Sequence, residues 1–125
     1  MTLVLDGAAL IALERNERSM WARLKGAGIA SEIPLTHGGV VGQVWRGGPR
    51  RARLARAHQG VDVRPLDRAL GRAAGELLAR TSSSDVIDAA VVLLAADGDD
   101  IVTLDRRDFE ALVRAAGRHV ELIRP

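Results

Sequence analysis

The chain has 125 residues, 47% hydrophobic and 27% charged, with a net charge of +2 and no cysteine. That size suits one domain, residues 1–125, which buries roughly two-thirds of its unfolded surface, and the composition excludes a disordered chain. The lack of cysteine excludes disulfides and thiolate metal sites, and no apolar run approaches the ~18 residues of a membrane span.

Thr2–Leu5 is a short, continuously apolar run of the kind found in buried parallel strands. It follows Met1 directly, with no basic leader, and a cytoplasmic protein is expected. Asp6 ends the strand, and Gly7–Leu13 reads as a helix packed closely on a sheet. A second helix, roughly Glu17–Lys25, is predicted to close at Gly26 or Gly28. Ile33–Leu35 reads as a second strand, and Val40–Trp45 as a helix. Pro49 fits the first turn of a fourth helix, on which Arg50, Arg53 and Ala57 share a face with Leu54 turned elsewhere.

Val61–Val63 alternates as a third strand. Asp67 is the predicted N-cap of a helix running to Arg80, with Leu70, Ala73, Ala74, Leu77 and Leu78 at helical period. The stretch Thr81–Phe109 then opens on serines and continues as an apolar helix with Asp85 and Asp88 near its start. A polar turn (Asp97, Asp99 and Asp100, read as solvated) leads to a strand at Ile101–Thr103. Asp105 lies just past that strand and Asp108 begins the next helix. Gly117 is a plausible helix stop, and Val120–Ile123 a final strand. Alternating strands and helices with short connections predict an α/β fold, three layers around a mainly parallel sheet of about five short strands. In such sheets function collects at the carboxyl ends of strands, near the reversal of strand order. Asp6 and Asp105 both lie at predicted strand ends.

Asp6, Asp85, Asp88, Asp105 and Asp108 are the candidate site residues. Gathered carboxylates raise one another's pKa and favour protonation, so a protein that gathers them commonly neutralises them with a hard cation. Mg²⁺ or Mn²⁺ suits an all-oxygen set, and such an ion supports phosphodiester hydrolysis without a Ser, Cys or His nucleophile. Each acid also has a simpler role open to it. Asp6 can cap the first helix, Asp85 and Asp88 favour a helix dipole, and Asp105 with Asp108 resembles a capping box.

The chain resembles PIN-domain proteins of the VapC type, the ribonuclease toxins of bacterial toxin–antitoxin pairs. The likeness covers nearly the whole chain and rests on the order and spacing of LDGAALIAL (Asp6), VVGQVWRGG, DVIDAAVVLLA (Asp88) and VTLDRRDF (Thr103, Asp105, Asp108). It implies helices sandwiching a parallel sheet and Mg²⁺-dependent cleavage of RNA at Asp6, Asp88 and Asp105, with Mn²⁺ able to substitute. It implies supporting roles for Asp85, Asp108 and Thr103, the last orienting water or a ligand. It also implies homodimers neutralised by a small antitoxin.

One position departs from the family pattern: Gln43 stands where the second acid is generally Glu. An amide carbonyl can ligate a cation but brings no charge, so lower metal affinity is expected. Glu14, one helix along from Asp6, is a possible compensation. A binding module of the same fold, weakened in catalysis, is the alternative function. Lys25 is the only lysine among 18 basic residues, so positive surface is built from guanidinium forks, which suit phosphates. Arg46, Arg50 and Arg53 lie in the densest basic stretch and are the candidate RNA contacts; a solvated helix face explains them as well. His37, His58 and His119 lack zinc-ligand spacing. An apolar strip of Leu10, Leu13, Trp21 and Leu24 reads either as an antitoxin docking face or as core.

Overall fold

The computed structural model describes all residues, 1–125. Five strands, β1 (Leu3–Leu5), β2 (Leu35–His37), β3 (Asp62–Arg64), β4 (Asp100–Val102) and β5 (Glu121–Ile123), form one sheet in the order β3-β2-β1-β4-β5. Every pairing is parallel. The helices are α1 (Gly7–Glu14), α2 (Arg18–Ile29), α3 (Gly38–Val44), α4 (Arg51–His58), α5 (Arg68–Leu78), α6 (Val86–Leu94) and α7 (Arg106–Ala116). Helices α2, α3 and α4 pack around α1, while α5, α6 and α7 pack on one another. The result is the predicted three-layer α/β/α arrangement.

The middle of the sheet is apolar because it is covered on both faces. All three residues of β1 are buried, as are Ile101 and Val102 of β4. Helix α6 packs against β1 and β2, and Ala89, Ala90, Val91 and Val92 are all fully buried there. Removing each such side chain from water contributes about 1 kcal/mol for Ala up to about 2 kcal/mol for Val. Asp67 caps α5 as predicted, its Oδ1 accepting from the Leu70 N–H at 2.9 Å. Gly117 ends α7 with a φ of 66°, a conformation that glycine adopts without a Cβ clash.

Several local expectations are corrected. Helix α2 does not stop at Gly26 or Gly28 but runs through both to Ile29, and Ser31 takes the left-handed turn after it, at φ 58°. Burial of Ala27 holds the glycine-flanked turn helical. Strand β2 begins at Leu35 rather than Ile33, because Pro34 lacks the N–H a central strand needs. On α4, Leu54 is turned from Arg50 as expected, but Ala57 faces the core with Leu54 and does not share the arginine face. Leu10 and Leu13 are fully buried, and Trp21 and Leu24 pack against the same core. That strip is therefore core and not a docking face. Asp99 is not solvated: it is 9% exposed. No helix is long and apolar enough to cross a membrane.

Strand order reverses at β1: β2 and β3 extend to one side, β4 and β5 to the other. A crevice at the carboxyl ends of β1 and β4 is the expected location of a site in such a sheet.

Candidate functional site

A cavity of about 580 Å³ opens at this crevice, and Asp6, Gln43, Asp85, Asp88 and Asp105 all line it. Their positions follow from the sheet. Asp6 is the first residue beyond β1, and its N–H donates to the Val102 carbonyl of β4 at 3.1 Å. It occupies the N-cap position of α1 without making a side-chain cap. Instead its Oδ2 accepts from the Thr103 hydroxyl at 2.9 Å, and the same hydroxyl oxygen accepts the Asp105 N–H at 3.0 Å. Thr103 therefore positions two carboxylates. Its proton is engaged by Asp6 and one of its two lone pairs by the Asp105 N–H.

The other two carboxylates come from the start of α6. Asp85 is its N-cap, with Oδ1 accepting the Asp88 N–H at 3.0 Å. That bond is a helix cap, and the residue faces the cavity as well. Asp105 makes no side-chain cap on α7, so the capping box with Asp108 is not formed. Asp108 lies outside the main cavity, in a shallower depression with Asp85 and Ser82–Ser84. Its charge acts from there on both Asp88 and Asp105.

The charges are uncompensated. Burial pushes Asp88 up to about 7, and the charges of Asp6, Asp85, Asp105 and Asp108 push in the same direction. Burial also lifts Asp6, against the pull of the Gly7 amide and the Thr103 hydroxyl, with Asp105 and Asp85 adding to the rise. Asp105 is raised by desolvation and then by Asp108. The chain's ion pairs, Met1–Glu32, Arg64–Asp62 and Arg106–Glu110, involve none of these acids.

The donor set fits a hard divalent cation in its chemistry, being oxygen throughout. As the side chains stand, no three acidic or histidine groups are close enough together to enclose a metal ion. An ion binding here would have to draw the carboxylates inward. Gln43 belongs to the site: its Oε1 lies 3.7 Å from where a Cβ on Gly7 would stand, directly beside Asp6. Glu14 does not line the cavity, whereas Glu17 does.

The basic residues are placed differently from expectation. None of Arg46, Arg50 and Arg53 lines the cavity. Arg46 turns back to the Gly42 carbonyl at 3.2 Å, and Arg53 reaches the Glu14 carbonyl at 2.8 Å, holding α4 to the end of α1. Arg15 and Arg124 line the cavity instead. Arg124 follows β5, so the strand-end rule that singled out Asp6 and Asp105 reaches it too. Arg15 carries no comparable signal among so many arginines.

No protein-family model matches the chain, and no curated protein is significantly similar to it. What the site does has to follow from its own geometry.

Proposed function

We propose that this chain is a divalent-metal-dependent endoribonuclease, the toxin of a toxin–antitoxin pair, acting in the cytoplasm as a PIN-domain protein of the VapC type. The observation that carries the reading is the set of carboxylates without counter-charge at the sheet's switch point. Structural acids are normally satisfied by N–H donors or cations; these are left to repel one another. Asp6, Asp88 and Asp105 would hold Mg²⁺ or Mn²⁺, with the Gln43 carbonyl beside them. When bound, the ion supplies a Lewis acid for the charge that develops on a phosphodiester as water displaces a ribose oxygen.

The chain's own groups do the rest. Thr103 holds Asp6 and Asp105 in fixed relation, and Asp85 holds the first turn of α6 so that Asp88 faces the cavity. Arg15 and Arg124 offer guanidinium forks to the phosphates on either side of the one being cut. Neither arginine is ion-paired with Asp6, Asp88 or Asp105. The carboxylates stay free for a cation and the arginines for a strand. Ile11 and Leu104, exposed on the cavity wall, are apolar surface that a segment of the antitoxin would cover; the active form is a homodimer.

The second reading is a binding module of the same fold. It is favoured by one feature, the uncharged Gln43 among acids that stand too far apart to enclose an ion. Cleavage of total cellular RNA separates the two. The nuclease reading expects cutting with Mg²⁺ or Mn²⁺, none with chelator, none by a folded Asp88→Asn variant, and a modest gain in Gln43→Glu. Folded wild-type protein that cuts nothing, together with a sharp gain in Gln43→Glu, establishes the binding module.

A further inference from the structure

Resting on the nuclease reading, we infer that His37 is a positioning residue for the acidic site: as a neutral imidazole protonated on Nε2, it clamps the peptide group that precedes Asp88 to the helix that carries Gln43. His37 is the last residue of β2 and is fully buried. The Gly39 N–H donates to its Nδ1 at 3.1 Å, so that nitrogen is an acceptor and the proton resides on Nε2. Nε2 lies 3.0 Å from the Ile87 carbonyl and donates to it.

A buried histidine with both nitrogens satisfied is ordinarily a core residue or a helix cap, and capping of α3 accounts for Nδ1. It does not account for Nε2. The Ile87 carbonyl and the Asp88 N–H belong to one peptide unit. Its carbonyl is held by His37 and its N–H by Asp85 Oδ1 at 3.0 Å. A peptide plane gripped from both edges fixes the direction in which the next side chain leaves the backbone, and that side chain is Asp88. Gly39 makes the close approach possible. A Cβ there would stand 2.5 Å from Ile87 Cδ1 and 2.9 Å from His37 Cε1, distances that force a neighbour to move. One ring thus couples α3 to α6.

The clamp predicts different results for two substitutions. His37→Asn retains an acceptor near the Gly39 N–H and loses the reach to Ile87. His37→Gln retains a donor that reaches Ile87 and loses the cap. Partners that orient metal ligands typically contribute about 10–100-fold in metal affinity. His37→Asn is therefore expected to bind Mn²⁺ about 10–100-fold more weakly, with His37→Gln largely restored, and the Asp88 amide should exchange with solvent faster in His37→Asn than in His37→Gln.

Equal Mn²⁺ affinity in wild type and His37→Asn, with Asp88 exchange unchanged, overturns the clamp and leaves the nuclease reading standing. A wild-type chain that binds no Mn²⁺ overturns the nuclease reading; the exchange rates, measured without metal, then decide the clamp alone. A long-range ¹H–¹⁵N spectrum of the wild-type imidazole needs no variant. A proton on Nε2 supports the clamp, and a proton on Nδ1 overturns it even if both variants fail to fold.

Discussion

Two aspartates at opposite ends of the same pair of strands are buried to the same extent. Asp6, beyond the carboxyl end of β1, and Asp99, before the amino end of β4, are each 9% exposed. Asp99 has committed both oxygens: Oδ1 accepts the Thr2 N–H and Oδ2 the Ala96 N–H, each at 2.9 Å. It ties the start of the chain to the turn before β4, and its charge is stabilised where it sits. Asp6 has the Thr103 hydroxyl and the pull of the Gly7 amide, yet burial outweighs both and raises its pKa, with Asp105 and Asp85 adding to the rise. Burial of an acid is therefore no sign of function in itself. The sign is burial left electrostatically unfinished.

Substitutions at the two ends should separate these roles. Asp99→Ala leaves two backbone N–H groups without partners, at a cost of about 3 kcal/mol and on the order of 10 °C in melting temperature. The surviving folded fraction should keep full cleavage per folded molecule. A urea titration with unchanged midpoint would show that the two aspartates do not differ as described.

Asp88→Asn should do the reverse, abolishing cleavage while stabilising the metal-free fold. Unfolded, Asp88 titrates near 3.8; folded, near 7. Between those values the folded chain binds the extra proton, so this contribution is complete below the lower value and is lost as pH rises through the higher one. Asn never acquires the charge. In chelator at about pH 8, Asp88→Asn should melt several degrees above wild type, and the gap should close on acidification to about pH 4. A gap of constant size, or of opposite sign, contradicts the rise of the Asp88 pKa that burial and the neighbouring carboxylates produce.

Thr103→Val has the smallest expected effect on the fold. It removes one hydroxyl that serves Asp6 and Asp105, costing about 1 kcal/mol, but it should weaken Mn²⁺ binding by about tenfold or more. Calorimetric titration of the folded variant reads that difference. Unaltered affinity would mean that Thr103 serves packing alone.

Much of the site is legible along the chain because it depends on local rules. Asp6 and Asp105 stand where apolar runs end, Asp85 stands where a helix must begin, and both signals survive in the fold. Asp67 and Gly117 are readable for the same reason, since caps and stops involve neighbours a few residues apart. The arginines are not. A dense run at Arg46–Arg53 attracts attention in sequence, yet Arg53 is spent on the Glu14 carbonyl, 39 residues away, and the cavity receives the isolated Arg15 and Arg124. His37 has no metal-ligand spacing to mark it, and its partner lies 50 residues along the chain.

The alternation of apolar strands with helices, short connections and local caps is sufficient to specify the layered α/β class, because burial periodicity and helix termini are determined within a dozen residues. Strand order is a different matter. Placing β1 between β2 and β4, and so bringing Asp6, Gln43, Asp88 and Asp105 to one crevice, depends on which apolar faces pack best together. The same packing decides that Asp99 is satisfied and Asp6 is not, since Thr2 and Thr103 each lie 97 residues from the acid they serve. Local sequence determines which groups can pair; only the tertiary structure decides which of them are left unpaired.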